Sequence, residues 1–260
     1  MSTQTKAGRV LRSTGRLFAH SRVTSELVHR ACWYIAQGSQ NAHCYDMAGN
    51  GEAWLVGRLA NTISARAVLD IGANHGNWSA EVRAAVPSAR IYAVEMIPEF
   101  AQKLRSRFGP DVAVLECAVG DQSGETVAYK LGGGGRINPG DTRKTREPFN
   151  VRLRTGDEIV REEGIVDLAL VKIDVDGYDI PALRGLRETI ARDRPVIQIE
   201  YSRCYIDTRY YLRDAYDLLE PLDYRIGRLM PRRIDFMPWS RSNETFLTSN
   251  YVAVPRERVL

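Results

Sequence analysis

The sequence predicts an α/β fold of the doubly wound, Rossmann-like kind, with a mostly parallel seven-stranded sheet and an N-terminal helical cap. Two observations predict it. From residue 67 onward, short apolar runs alternate with segments of helical periodicity, which is the pattern of βαβ units. The first apolar run ends in an aspartate and a glycine turn, VLDIGANHGNWS at residues 68–79, and ligands of such sheets bind at these strand ends.

Composition and charge exclude several classes of protein. The 260 residues are 44% hydrophobic and 26% charged, which is ordinary for a globular protein. A net charge of +4 does not indicate a nucleic-acid partner, which would require a concentrated basic stripe. The cysteines lie far apart without a C-x-x-C pair, so we expect no cysteine zinc site and a reducing, cytoplasmic location. No apolar run reaches the roughly 20 residues of a membrane span.

Residues 1–58 precede the alternating pattern and are predicted to form a tail and a helical cap. The first 25 residues contain basic but no acidic side chains, which favours a helical or loosely ordered tail over an organelle-targeting segment. One helical face of this tail could collect Val10, Leu11, Leu17 and Phe18. LVHRACWYIA and EAWLVGRLA are predicted helices that lie across the sheet edge or over its site.

The first half of the sheet is predicted from three apolar runs. Its strands are AVLDI, RIYAVE and DVAVLE, separated by a helix over residues 78–86 and by a second helix that begins at Pro98. The regularity breaks between residues 122 and 155. There, ETVAYKL and FNVRLR are predicted to be short antiparallel strands around a mobile glycine-rich loop, GGGGR.

The second half begins with a short helix over residues 157–163. LALVKIDV and PVIQIEY are predicted as the fourth and fifth parallel strands. Between them, Asp179 is expected to cap a helix with Pro181 in its first turn. After a helix over residues 210–219, YRIGRL and FLTSNYVAV are predicted to close the sheet as a hairpin-like pair.

The turn after the first strand predicts the charge of the ligand. Asp70 stands at the strand's end, and Gly72 and Gly76 let the backbone turn tightly with nothing projecting into the ligand's space. A dinucleotide site usually reads G-x-G-x-x-G, whereas this turn reads D-x-G-x-x-x-G. A carboxylate there would repel a phosphate and suits a cationic group, such as an ammonium or a sulfonium.

The next two strand ends predict an adenosine. Glu95 ends the second strand, where nucleoside-binding folds place an acid that accepts both ribose hydroxyl protons. Cys117 and Ala118, at the third strand end, are small enough for a flat ring to lie against them. A ligand with an amino acid at one end and adenosine at the other is S-adenosylmethionine (SAM).

At residues 166–185 the sequence VDLALVKIDVDGYDIPALRG resembles the FkbM family of class I SAM-dependent methyltransferases. It keeps the lysine, aspartate, glycine and leucine of that pattern but has Asp176 and Asp179 where glutamate is usual or common. NGEAWLVGRL also resembles a form of the family. The resemblance implies that residues 59–260 form a methyltransferase domain. It also implies O-methylation of a hydroxyl on a sugar, glycan or glycosylated natural product.

The resemblance and the strand ends together give the candidate site residues. The cofactor set is Asp70, Gly72, Asn74, Gly76, Glu95, Met96, Cys117, Ala118 and Asp174. The catalytic candidates are Asp174, which could also orient the cofactor, and Asp176 as a general base. The acceptor-side candidates are His75, Arg136, Tyr178, Glu200 and Tyr201.

Several alternatives stay open from the sequence. Asp174, Asp176 and Glu200 also resemble a hard-cation site, so Mg²⁺ is a possible second cofactor, although no metal site is assigned. A NAD(P)-linked enzyme and a non-catalytic SAM-fold binding module are the other functional interpretations. The expected partner is a small-molecule or glycan acceptor, with no nucleic acid and no membrane span, and a homodimer is possible.

Overall fold

The structure is a computed structural model that describes residues 6–131, 133–137 and 147–259. Its contacts divide the chain into one unit that ends at His43 and a second that begins at Cys44. The predicted domain boundary after residue 58 stays a prediction. No helix in the described ranges combines the length and apolar character that crossing a membrane requires.

The helices and strands are numbered here in chain order. The helices are α1 Lys6–Leu17, α2 Arg22–Ser39, α3 Met47–Asn50, α4 Glu52–Ile63, α5 Asn77–Ala85, α6 Pro98–Phe108, α7 Gly156–Glu162, α8 Asp179–Arg184, α9 Arg187–Asp193, α10 Cys204–Thr208 and α11 Leu212–Leu219. The strands are β1 Ala67–Ile71, β2 Arg90–Val94, β3 Val112–Leu115, β4 Ala118–Gly120, β5 Gly124–Leu131, β6 Gly134–Ile137, β7 Pro148–Thr155, β8 Leu168–Ile173, β9 Val196–Tyr201, β10 Tyr224–Met230, β11 Arg233–Phe236 and β12 Ser249–Pro255.

The first unit contains α1 and α2, and the segment LVHRACWYIA lies inside α2 as predicted. The second unit begins with α3, whose first turn is capped by Asp46 through a 2.8 Å bond from the Gly49 N–H. Gly51, at φ 96°, turns the chain from α3 into α4. EAWLVGRLA lies in α4, also as predicted.

In the part of the chain that the structure describes, the larger sheet has eight strands in the order β11-β10-β12-β9-β8-β1-β2-β3. The five strands β9, β8, β1, β2 and β3 pair in parallel. The β9–β12, β12–β10 and β10–β11 pairs are antiparallel. This confirms the predicted Rossmann-like class but corrects the strand number from seven to eight. The extra strand β11 reads RIDF, which is too short and charged for its pattern to indicate a strand.

The described residues between 118 and 155 form a separate four-stranded sheet in the order β4-β7-β5-β6. Its β5–β7 pair is antiparallel, as predicted. β5 also pairs antiparallel with β6, and β4 pairs with β7 in parallel. The prediction that GGGGR is a mobile loop is wrong for Gly134–Ile137, which forms strand β6. Gly132 of that segment lies outside the described residues.

Two hydrophobic clusters cover the two faces of the larger sheet. One face packs against α4, α5 and α6, through residues such as Leu59, Trp78 and Leu104. The other packs against α7 to α11, through residues such as Ile159 and Leu183. All five residues of β1 are buried because the strand lies in the middle of the sheet between these layers.

The region after β8 differs from the prediction in two ways. Asp179 does not cap α8; its carboxylate accepts the backbone N–H groups of Val175 and Gly177, at 3.2 and 2.9 Å. The predicted single helix is divided into α8 and α9 around Gly185, where a side chain would collide with the Gly120 carbonyl. The short helix α10 follows β9 and was not predicted from the sequence.

Candidate active site

A cavity opens where β1, β2 and β8 end, which is the ligand-binding edge of a parallel sheet. Most of the predicted cofactor residues line it: Gly72, Asn74, Glu95, Met96, Cys117, Ala118 and Asp174. Asp176 and Tyr178 also line it, as do Gly134, Gly135 and Ile137 of β6. The structure therefore brings the three predicted strand ends together and adds a wall from the smaller sheet.

The glycine turn after β1 is set by close backbone packing. Gly72 has φ 83°, and a Cβ there would collide with the carbonyl of Asp174. Its N–H donates to the Val94 carbonyl at 2.9 Å, which fixes the turn against β2. Gly76, at φ 76°, does not line the cavity, because a Cβ there would meet the side chains of Leu104 and Phe108. Gly76 is therefore a packing position at the start of α5.

Glu95 joins the first turn to the second. Its Oε2 accepts the Asn74 N–H at 2.7 Å, and its Oε1 accepts the Ile97 N–H at 2.8 Å. Burial raises the pKa of this carboxyl group, and the backbone donors oppose that rise. The carboxylate thus holds the Asn74 turn in place and still lines the cavity, where its remaining lone pairs can accept bonds from a ligand.

Asp70 lies behind the turn, which corrects the prediction that it faces the ligand. It is fully buried and does not line the cavity. Its Oδ2 accepts the Ser79 hydroxyl at 2.6 Å. Burial raises the pKa of Asp70, whereas Lys172 lowers it. Asp70 therefore lies next to the cavity lining and is not part of it.

Lys172 is the centre of this buried charge network. Its ammonium donates to Asp174 Oδ2 at 2.7 Å. Burial disfavours the ammonium, but the carboxylates of Asp174, Asp70 and Glu52 outweigh that cost and raise the pKa of Lys172. Sequence reasoning gave this residue no role, although a lysine in the middle of the apolar strand LALVKI is itself a signal of buried ion pairing.

Glu52 extends the network to the start of α4. Its Oε1 accepts the Gln198 amide at 2.5 Å, and its Oε2 accepts the Asn50 amide at 2.9 Å. Gln198 is fully buried in β9, and Glu52 is 7% exposed. The NGEAWLVGRL segment therefore supports the site from α4, a role that the sequence did not indicate.

The loop after β8 carries the acidic wall of the cavity. Asp176, at φ 55°, and Gly177, at φ 96°, turn this loop. Asp176 Oδ1 accepts the Arg136 guanidinium at 3.2 Å and the Cys204 thiol at 3.6 Å. Its Oδ2 points toward Gly134 of β6, 3.7 Å from the position that a Cβ would take there. One oxygen of Asp176 is thus held and the other faces β6 beside the cavity.

Asn74 links the glycine turn to the smaller sheet. Its Nδ2 donates to the Gly133 carbonyl at 3.1 Å. Its Oδ1 is buried and has no hydrogen-bond partner among the described residues. Because an unpaired buried acceptor is costly, this oxygen is suited to a ligand that brings an N–H or O–H donor.

The acceptor-side candidates separate into two groups. Tyr178 lines the cavity, and Arg136 stands beside it in the ion pair with Asp176. Glu200 does not line the cavity, and burial, together with the nearby carboxylates, raises its pKa well above the usual value. Tyr201 is fully buried, with its hydroxyl donating to Glu244 at 2.9 Å, and it does not line the cavity.

His75 is exposed and does not line the cavity. Its ring packs on Phe100, with 4.7 Å between the ring centroids, and its carbonyl accepts the Arg107 guanidinium. Its position in the glycine turn gave it its candidate role, but the turn directs the side chain toward α6. The structure therefore leaves Asn74, and not His75, as the side chain of this turn that meets the cavity.

No group of three or more His, Cys, Asp or Glu side chains within the described ranges could hold a metal ion. The Mg²⁺ alternative at Asp174, Asp176 and Glu200 is therefore unsupported. Lys172 pairs with Asp174, and Arg136 pairs with Asp176. These cations compensate the charges that would otherwise attract a hard cation.

The parallel sheet, the glycine turn, the acid at the end of β2 and the small residues after β3 together define a Rossmann-like methyltransferase. The model of the methyltransferase FkbM domain matches residues 70–226, and the chain belongs to that family.

The individual relatives share low sequence identity with this chain. The chain is 26% identical over 153 residues to the 2-O-methyltransferase NoeI of Sinorhizobium fredii, covering 52% of this chain and 63% of the relative. Methyltransferase FkbM from Methylobacillus flagellatus is similar in structure, with a TM-score of 0.47, 21% identity and coverage of 73% of this chain and 44% of that one. Cofactor-bound Rv0187 from MTB has a TM-score of 0.48 and 16% identity, covering 94% and 96% of the two chains.

Proposed function

We propose that the protein transfers a methyl group from SAM to a hydroxyl oxygen of a sugar-containing acceptor. Membership of the FkbM methyltransferase family supports methyl transfer. The name of the NoeI relative supports an oxygen as the methyl acceptor. The observation that carries the proposal is that Glu95, Asn74, Ala118 and Asp176 meet at one cavity.

The residues of the cavity fit the proposed cofactor in charge and in shape. Glu95, Asp174 and Asp176 line this cavity, and Glu95 is the one of the three without an ion pair among the described residues, so the lining keeps an acidic charge that favours a cationic ligand. Cys117 and Ala118 leave a flat apolar wall for the adenine ring. The unpaired Oδ1 of Asn74 accepts a donor from the amino-acid or ribose part.

When bound, SAM supplies an electrophilic methyl group on a sulfonium. The task of the chain is to hold a hydroxyl in line with that group and to receive its proton. Asp176 is the proposed general base, because Arg136 holds its Oδ1 and leaves its Oδ2 facing β6 beside the cavity. Asp174, fixed by Lys172, orients the cofactor.

Calorimetric titration with SAM and with its demethylated product tests the cofactor. We expect both to bind, and we expect Ala118→Leu to lose binding because the larger side chain fills the adenine wall. Ala84→Leu, at an exposed position of α5, is the matched control and keeps binding. Absence of binding at about millimolar ligand would refute the proposal; binding of NADH instead would favour a NAD(P)-linked enzyme.

Transfer of a labelled methyl group tests the acceptor. We expect label to enter compounds that carry free sugar hydroxyls and not the same compounds with those hydroxyls blocked. If only hydroxyl compounds without a sugar were methylated, O-methyl transfer would be supported and the sugar-containing acceptor would be contradicted.

A further inference from the structure

Helix α1 presents apolar and basic side chains on opposite faces. At roughly 100° per residue, Val10, Leu11 and Leu17 fall within an arc of about 120°. The arginines fall within an arc of about 60° on the opposite side, and they are Arg9, Arg12 and Arg16. An amphipathic helix of this kind buries its apolar face against some partner.

The apolar face of α1 is open. Val10 is 63% exposed, Leu11 72% and Leu17 71%, and Phe18 directly after the helix is 40% exposed. Isolated exposed leucines are ordinary, but a row on one helical face marks an interaction surface. Within the described residues, this row has no apolar cover.

The charge of the segment identifies the kind of partner. The first acidic residue of the chain is Glu26, so the whole of α1 carries positive charge alone. Arg9, Arg12 and Arg16 form no ion pair within the residues that the structure describes. A basic face next to an apolar face matches the interface of an anionic bilayer, where acyl chains take the leucines and headgroups attract the arginines.

We propose that α1 lies in the interfacial layer of an anionic phospholipid membrane. Its 12 residues are about 18 Å long, which is enough to lie along the surface and too short to cross the hydrocarbon core. Val10, Leu11, Leu17 and Phe18 insert between the acyl chains. The arginine side chains extend to the headgroups, within the Debye length of about 8 Å over which surface charge acts. This inference is independent of the proposed methyl transfer.

Flotation of the full chain with lipid vesicles tests this proposal. We expect the protein to float with vesicles of equal parts phosphatidylcholine and phosphatidylglycerol, and to float poorly with phosphatidylcholine alone. Leu11→Glu combined with Leu17→Glu should lower the partition coefficient at least about tenfold, because it removes apolar area and adds repulsive charge. Arg9→Gln, Arg12→Gln and Arg16→Gln together should lower it to a similar extent on anionic vesicles only.

The control has the same change in charge and the same loss of exposed apolar residues elsewhere. Val127→Glu combined with Val166→Glu replaces side chains that are 42% and 57% exposed in the second unit, and should float like the wild type. Equal loss in this control, or a wild-type protein that stays at the bottom of the gradient with anionic vesicles, would overturn the proposal. Thermal melts of all variants confirm that the second unit remains folded.

Discussion

The carboxylates of Asp174, Asp176 and Asp179 differ in their hydrogen-bond partners. Asp174 is fixed by the buried ammonium of Lys172, and Asp179 by two backbone N–H groups. Asp176 is likewise bound at one oxygen, by Arg136 and the Cys204 thiol, and its side chain is 38% exposed against 34% for Asp174. Asp176 stays the proposed general base, because its Oδ2 faces β6 beside the cavity, whereas Asp174 is paired with the buried ammonium of Lys172.

Replacing Asp176 tests that role. We expect Asp176→Asn to lower kcat by about 100-fold or more, since the amide cannot accept the hydroxyl proton, and to leave the affinity for SAM within a few-fold. Asp167→Asn is the matched control, because Asp167 has a similar φ of 56° and lies in an exposed turn before β8. Unchanged kcat in Asp176→Asn would exclude a general base at this position.

Glu200 predicts a pH dependence of stability. Its pKa is raised well above the ordinary 4.5 by burial and by the nearby carboxylates of Asp174, Asp179 and Asp176. The folded state therefore binds more protons than the unfolded state. The stability that this difference contributes is present below about pH 4.5 and is lost as the pH rises from there toward the folded pKa.

Glu200→Gln removes this titration. We expect the variant to gain stability over the wild type as the pH rises from about 4 to about 8, because the glutamine has no charge to bury. Urea unfolding at a series of pH values measures the difference. Glu125→Gln, at an exposed position of β5, should show a flat difference over the same range. A flat difference for Glu200→Gln as well would show that Glu200 does not titrate differently in the folded state.

At the scale of elements, the turn after β1 packs against the loop after β8. Gly72 packs on the backbone of the β8 loop, and that loop carries Asp174 and Asp176. The Gly72 and Ala73 N–H groups bond the carbonyl of Val94 at 2.9 and 3.0 Å, so β2 is fixed to the same turn. Any side chain at Gly72 therefore displaces the acidic wall of the cavity.

Gly72→Ala should consequently lower both stability and SAM affinity. We expect a loss of at least about 2 kcal/mol in the free energy of unfolding, from the positive φ and the collision with the Asp174 carbonyl. Gly57→Ala in α4 is the matched control: nothing lies within 4 Å of its Cβ position, and alanine should stabilise that helix by roughly 0.5–1 kcal/mol. Equal stability of the two variants would contradict the close packing of the turns.

At the scale of the whole molecule, the apolar core of the second unit differs from the open surface of α1. Leu59 is fully buried between α4 and the sheet, whereas Leu11 is 72% exposed. The cluster around Leu59 includes residues of β1, β2 and β8, so the helix and the parallel sheet share one core. Stability should therefore depend on the first leucine and not on the second.

A pair of alanine substitutions measures this contrast. Leu59→Ala should lower the free energy of unfolding by about 2–5 kcal/mol, since it leaves a cavity in a closed core. Leu11→Ala should change it by less than about 0.5 kcal/mol. Urea unfolding followed by circular dichroism gives both values, and a loss on Leu11→Ala as large as that on Leu59→Ala would contradict the exposure of α1.

The sequence by itself determined the sheet class, most of the strands and the strand ends that form the cavity. Local patterns suffice for these features, because a buried parallel strand is a short apolar run and a tight turn needs glycine. The same patterns indicated Gly72, Glu95, Cys117 and Ala118, which all line the cavity. The charged strand β11 and the strand β6 inside a glycine-rich segment have no such pattern, so the sequence missed both.

Only the tertiary structure decided which side chains meet. Asp70 and Tyr201 stand at strand ends as the sequence predicts, yet neither lines the cavity, whereas residues of β6 do. The ion pair of Arg136 with Asp176 joins β6 to the loop after β8, across 40 positions of the chain. Pairing of this kind depends on distances set by packing between elements, and spacing along one chain does not encode those distances.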